Sequence, residues 1–586
     1  MRLSFLLLSI FFLIGIACAE RATPTAAPTA TPVPAPTPTP RAIPGATGVP
    51  APVAAPTPIP AQTPPPGTVR APAQRDRERT RKIVEAGTLL RLGDDPPTLD
   101  PHLTTDATSA VYVVELFGGL ATIDPKLEIV PDLAEKWDLS DGGKTYTFHL
   151  RRDAKFHNGK PVTAQDIKWS LERAADPATK APVVDTFLGD VVGVLDKLRG
   201  RATQISGIRV IDDQTLTITT DAPKAYFLSK LTHPNAFVLD RQNVEGNRSW
   251  LKEPNGTGPF KLAEYKVGEV LRLQRNERYH LGPPKLKEVQ FILGGGDPLL
   301  MYENDEIHLA GVGLFGLEQF LDPSHPLNRD LQKGLPRFSV DYIGMNVTKP
   351  PFDDLKVRQA LNYAIDKDLI ARELFQEALL PARSILPPGF PGYNPDLKAY
   401  PFDPEKARKL LKESRYGGDL EKFPSIVLTV PGSLGATVGS DLEVILEMWN
   451  RNLGIEVEIQ QTEWATFLQD LNQLRFQMFG GMGWIADYPD PENFLDILFH
   501  TGSSNNQTGY TNPELDRLLE QARVEQDQKV RYGLYHRAEE IILEDASWIP
   551  LWYGISRYVL VKSYVKDYFL VPLVVPILRY VYMVEE

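Results

Sequence analysis

The sequence predicts an α/β or mixed fold built from several lobes, and three observations carry that reading. Strand-like runs alternate with helix-like ones from about residue 86 onward. The chain has 586 residues, 42% hydrophobic and 24% charged, which is enough to bury more than one core. A stretch dominated by Pro, Thr and Ala separates this foldable part from an apolar N-terminus.

Met1 and Arg2 followed by the apolar run Leu3 to Ile16 have the form of a signal peptide, residues 1–18. Gly15-Ile16-Ala17-Cys18 resembles a bacterial lipobox, which would make Cys18 the lipidated first residue of the mature chain, although Gly15 stands where such motifs usually carry leucine. Cys18 is the only cysteine, so no disulfide framework or cysteine metal cluster is available within the chain. Residues 19–78 read as a disordered linker. Fully extended as polyproline II, at ~3.1 Å per residue, it would reach on the order of 150 Å.

In the foldable part, Gly87 to Leu92 alternates as a first strand should, and Lys144 to Leu150, Thr215 to Thr220, Val270 to Leu273, Ile426 to Val430 and Ile455 to Ile459 follow suit. The clearest helix runs from Phe352 to Ile365, with apolar residues at 357, 360, 361, 364 and 365. Others are Asp403 to Lys412, Asp441 to Leu453, Asn512 to Arg523 and Lys529 to Glu544. Asp403-Pro404 and Asn512-Pro513 supply a cap and a first-turn proline. Asp141-Gly142-Gly143 reads as a hairpin turn and Thr163-Ala164-Gln165-Asp166 as a capped helix start. Prolines 572 and 576 with Arg579 interrupt the apolar stretch Tyr568 to Met583, which argues for buried strands and a loop over a spanning helix.

Several chemistries are excluded. A net charge of −12, with no basic run interleaved with aromatics, disfavours nucleic acid as a partner. The nine histidines are scattered, with none at zinc-protease spacing, so no intrinsic metal and no cofactor is expected; a metal chelate carried as ligand stays open. No nucleophile elbow surrounds Ser433, and Gly294-Gly295-Gly296-Asp297 lacks the lysine of a phosphate loop, so the chain is not expected to be an enzyme.

Leu99-Asp100-Pro101-His102, Pro131 to Trp137, Asp141 to Arg151, Lys155 to Asp166, Gly256 to Leu262 and Arg275 to Tyr279 occur in an order that resembles solute-binding protein family 5, the oligopeptide, dipeptide and nickel receptors of ABC importers. The resemblance covers nearly all of residues 86 to 570. It implies a two-lobed periplasmic-binding-protein fold (type II, Venus-flytrap) with an extra domain inserted on the N-terminal side. Lobe I would comprise 79–124, 205–335 and 535–586, the extra domain 125–204, and lobe II 336–534. It also implies a monomer on the extracellular face of the membrane or in the periplasm that delivers a peptide or small amine-bearing solute to permease and ATPase subunits. A sensory or chaperone module, or a receptor for a nickel chelate or sugar, is the alternative that the same fold allows.

Candidate ligand residues cluster in Phe479 to Phe494. Asp490, ahead of Pro491 and Glu492, reads as a helix cap, which leaves Asp487 without a local role. A carboxylate flanked by Trp484 and Tyr488, with Gly483 letting backbone approach, would be costly in a closed cleft unless a cation paired with it. In the family the aspartate of this matching motif binds a peptide's α-amino group, which would make Asp487 the anchor; Trp484 reads equally as core or cleft wall. Thr104, Thr105 and Ala107 fall where the family offers backbone groups to an extended peptide, and read equally as a hydroxyl-rich start of a helix before Ser109. The segment Pro431 to Ser440, where peptide receptors often place an arginine or histidine for the ligand carboxylate, contains no cation.

Overall fold

In the computed structural model, the described residues are 72–586 apart from 314–315, 376–378, 398, 420–421, 433–437, 555 and 586. Cys18, the signal-like run and nearly all of the proline-rich stretch lie outside them.

Three sheets organise the body. The first has seven strands in the order Leu331–Pro336, Ser556–Val561, Leu309–Val312, Thr88–Leu92, Glu288–Ile292, Val270–Arg275 and Phe260–Lys266. The second has six, in the order Leu380–Pro381, Trp548–Tyr553, Ser339–Met345, Met478–Ile485, Ile426–Pro431 and Val457–Thr462. The third has four antiparallel strands, Ala134–Ser140, Thr145–Leu150, Thr215–Thr219 and Ile208–Asp212. These are the cores of lobe I, lobe II and the inserted domain.

The lobes are joined where two paired strands pass from the first sheet to the second. Leu331–Pro336 continues through Arg337 and Phe338 into Ser339–Met345, and Trp548–Tyr553 returns beside it into Ser556–Val561. Gly554 sits at this crossing with its N–H on the Ser339 carbonyl at 3.0 Å. A Cβ there would lie 2.4 Å from Ser339 Oγ and 2.5 Å from the Arg337 carbonyl, so the two connections approach too closely for any side chain.

Local chemistry explains the element boundaries. Asp403 accepts from Lys406 N–H and Asn512 from Glu514 N–H, each ahead of a proline at the first helical position. Thr163 and Asp166 close a reciprocal capping box, and Asp141 to Gly143 take positive φ of 53°, 63° and 90° to turn the hairpin of the inserted sheet.

Four expectations need correction. The inserted sheet runs to Thr219, past 204, because Thr215–Thr219 pairs with Thr145–Leu150. Lobe II extends past 534: helix Gln528–Asp545 buries Tyr535, Ala538 and Ile542 in its core, and Trp548–Tyr553 is a central strand of its sheet. Residues 72–78, assigned to the linker by composition, already belong to helix Pro72–Ala86. The stretch Tyr568 to Met583 is irregular apart from the short strand Tyr582–Met583, its Val571, Leu573 and Val575 buried against the lobe II core.

Candidate functional site

A cavity of about 280 Å³ lies between the lobes. Lobe I contributes Thr104 to Thr108, Ala110 and Val114; the inserted domain Val183, Phe187 and Thr232 to Pro234; lobe II Trp464, Gly481 to Asp487, Asn505 and Gln507. The extended C-terminal segment closes it with Val574, Val575 and Pro576. Thr104, Thr105, Ala107, Gly483, Trp484 and Asp487 therefore meet on one wall system, although nearly 400 residues separate the two groups in the sequence.

Strand Met478–Ile485 carries the lobe II part of the wall. Gly481 has φ +68° and turns the strand. At Gly483 a Cβ would fall 2.2 Å from Asp341 Oδ1 and 2.9 Å from the Val340 carbonyl, which explains glycine at that position. Just beyond the strand, Asp487 is held by reciprocal bonds: its N–H donates to Asn493 Oδ1 at 2.9 Å, and Asn493 Nδ2 donates to Asp487 Oδ2 at 3.1 Å. No cation pairs with it among the described residues. Burial pushes its carboxyl up to about 6, the Asn493 bond only partly offsetting this.

Asp490 keeps the capping role, accepting from Glu492 N–H at 3.0 Å, and also receives the two prongs of Arg531 at 2.6 and 2.8 Å. Its charge is thus satisfied internally while that of Asp487 is not. Tyr488 is not on the cavity wall; it is fully buried in the lobe II core with its hydroxyl on Glu492. Trp484 does both things left open for it, lining the cavity and packing against the core. Thr104 is buried and donates to the Asp100 carbonyl at 3.1 Å, while Asp106 caps helix Ala107–Leu116 through Ser109 N–H at 2.9 Å. The helix start and the cavity wall are the same segment.

The cavity is electrically one-sided. Asp106 and Asp487 lie on it, and no Lys or Arg does among the described residues. Its histidine, His233, is kept neutral, burial pushing it down to about 3. The segment Pro431 to Ser440 borders a second hollow through Pro431, Val438 and Gly439, and that hollow presents Asp341 and Asp441; residues 433–437 lie outside the described residues.

Beside the cavity, a buried charge network joins the inserted domain to lobe II. Lys230 Nζ lies 2.7 Å from Glu492 Oε1 and 3.0 Å from Asp190 Oδ2, while Lys224 reaches Asp190 at 3.2 Å. Sequence reading missed this network, along with His233, Asn505, Trp464 and Phe187 on the wall. These residues come from separate elements and form no local pattern; the Lys-x-x-His spacing of 230 and 233 is unremarkable in a chain with 63 basic residues.

Two lobes on a pair of crossing strands around an enclosed cavity define a two-lobed solute-binding protein. Comparison with known proteins agrees. Residues 128–506 match the model of the bacterial extracellular solute-binding proteins, family 5 (middle region), and the chain belongs to that family. It is 31% identical to the dipeptide-binding protein DppE of Bacillus subtilis over 476 residues, 78% of this chain and 85% of DppE. Among solved structures, the murein tripeptide binding protein MppA of Escherichia coli superposes with a TM-score of 0.76 at 28% identity, over 85% of this chain and 99% of MppA. OppA of Haemophilus influenzae in complex with RPPGFSPFR gives the same values. An unliganded open form of MppA, again at 28% identity over 85% of this chain and 97% of that one, scores 0.58. At equal sequence identity the chain superposes better on the peptide complex than on the unliganded open form.

Proposed function

We propose that the protein is an extracellular receptor of an ABC importer that encloses a short peptide or similar amine-bearing solute between its lobes and delivers it to permease and ATPase subunits. Asp487 carries the reading: a desolvated carboxylate on the wall of an enclosed cavity, fixed by Asn493 and lacking an internal cation, is complementary to a ligand ammonium group. At about 280 Å³ the cavity falls near the lower end of ordinary ligand pockets, roughly 300–1,000 Å³, which favours short ligands. The peptide ligands of MppA and of Haemophilus influenzae OppA support the peptide class. The Cys18 lipobox-like segment supports anchoring to the outer face of the membrane, with the proline-rich stretch as a spacer.

Native mass spectrometry of gently purified protein identifies the captured ligand, and calorimetry then measures it against Asp487→Asn. The variant is expected to weaken amine-bearing ligands by about 2–4 kcal/mol. In the wild type, affinity should fall as pH drops through about 4, where Asp487 of the water-facing open form takes up a proton and the neutral carboxyl no longer attracts ammonium. Unchanged binding in the variant, or a captured ligand without an amine, would refute the reading.

A further inference from the structure

The walls of the cavity carry a second recognition element that the amine anchor does not use. His233 is 9% exposed and follows the short helix Phe227–Lys230 of the inserted domain. Its Nδ1 accepts from Asn235 N–H at 3.2 Å. Because a backbone N–H only donates, Nδ1 is unprotonated and the ring proton of the neutral imidazole sits on Nε2. Nε2 has no partner among the described residues. The ring is held flat against Phe187, with centroids 3.4 Å apart and planes 2° from parallel, so the direction of the Nε2–H is set by packing.

The Nε2–H of His233 is thus a neutral, rigidly held donor on the cavity wall, and a donor in a buried site without a partner is costly unless a ligand supplies an acceptor. The charged wall groups among the described residues are Asp106 and Asp487, both acidic, and no Lys or Arg joins them. A free carboxylate entering this space would be a third anion with no cation to compensate it. An uncharged carbonyl or amide oxygen would satisfy the His233 N–H without that cost.

We propose that His233 forms a subsite for an uncharged carbonyl, so that the receptor selects cationic ligands with a neutral acceptor end, such as short-peptide amides, over the matching zwitterionic free acids. This rests on the amine-receptor reading of Asp487 and adds which ligands that site prefers.

The test uses purified protein stripped of ligand, a pool of dipeptide amides and the matched pool of dipeptide free acids, with binding read by native mass spectrometry and the best binders measured by calorimetry. Wild type should favour amides by at least about tenfold. His233→Leu should reduce that amide-to-acid ratio at least severalfold, and His233→Gln, which keeps an N–H donor, should restore most of it. A purely structural role for His233 would weaken both pools alike and leave the ratio unchanged, which would overturn the subsite. Free acids binding as tightly as amides would overturn the proposed selectivity while leaving the amine anchor standing, provided Asp487→Asn abolishes both. Failure of both pools to bind wild type would overturn the anchor and the subsite together.

Discussion

Removing Lys230 should loosen the closed form more than any comparable change in the cavity wall. Lys230 and Glu492 are each 5% exposed or less at the side chain and 2.7 Å apart, one on the inserted domain and the other on lobe II, so lobe opening must separate them. In Lys230→Met, Asp190 keeps Lys224 at 3.2 Å, whereas Glu492 loses its cation in the closed form. Burial pushes the Glu492 carboxyl up from an ordinary 4.5, and the Lys230 ammonium opposes the rise. Without Lys230 the closed form would hold Glu492 protonated. Protonating an ordinary carboxylate at pH 7 costs 7 − 4.5 = 2.5 pH units, or about 3 kcal/mol at ~1.36 kcal/mol per unit. That agrees with the ~3–5 kcal/mol typical of breaking a buried pair by removing one partner. For a receptor that is open when empty, a closure defect of up to about 3 kcal/mol appears as up to roughly a hundredfold weaker ligand binding. Calorimetry gives the affinity, and small-angle scattering of the liganded protein gives the open fraction. At pH 5 the same protonation costs under about 1 kcal/mol, so the ratio of variant to wild-type affinity should recover most of the way. Replacing both partners, Lys230→Met with Glu492→Leu, should also recover closure, because no buried charge is left unpaired. A defect of equal size at pH 5 and pH 7, or none at pH 7, would refute the reasoning.

Two further predictions concern stability. Glu539 is fully buried; its Oε1 accepts the N–H groups of Ile385 and Leu386 at 2.7 and 2.8 Å, and its Oε2 has no partner. Burial pushes it up to about 7 from 4.5, so its stabilising contribution is complete below about pH 4.5 and is lost as pH rises through 7. Glu539→Gln should therefore be more stable than wild type at pH 8, by up to about 3 kcal/mol, with the gain vanishing near pH 4.5 in urea unfolding. Gly483→Ala, whose Cβ would press on the Val340 carbonyl at 2.9 Å and on the Asp341 carboxylate at 2.2 Å, should cost about 1–3 kcal/mol in the same assay.

Elements whose boundaries are set locally were legible in the sequence, and those set by distant pairing were not. Asp403-Pro404, Asn512-Pro513 and Thr163-x-x-Asp166 mark helix starts through bonds made within four residues, and each lies where that chemistry puts it. The end of the inserted domain was misplaced because Thr215–Thr219 belongs to it only through pairing with a strand some 70 residues earlier. Likewise nothing near Trp548 announces that its strand runs between Ser339–Met345 and Leu380–Pro381. In the site, Asp487 stood out because its neighbour Asp490 already had a local explanation. Tyr488 misled because strand alternation does not continue past Ile485, where the chain turns and buries the next aromatic side chain. His233 was invisible for a different reason: its orientation depends on Phe187, which the fold brings to it from 46 residues before.

Asp487, the proposed ligand anchor, and the interlobe ion pair of Glu492 lie within a few residues of each other, and this offers a physical route from ligand charge to closure. Asn493 fixes Asp487 on the cavity side, Tyr488 binds Glu492 between them, and Glu492 meets Lys230 across the cleft. Segment 487–493 is further held by Arg531 on Asp490 at 2.6 Å. Opening the lobes leaves this segment on lobe II and takes Lys230 away, so Glu492 and Asp487 then face water as two carboxylates close in sequence. Closing desolvates both, and each needs a cation of its own. Lys230 supplies one from the protein and, under the proposed function, a ligand ammonium supplies the other, so closure without ligand leaves Asp487 half-buried and uncompensated. That cost penalises the empty closed form, which is the bias a receptor needs if its transporter is to distinguish loaded from unloaded molecules.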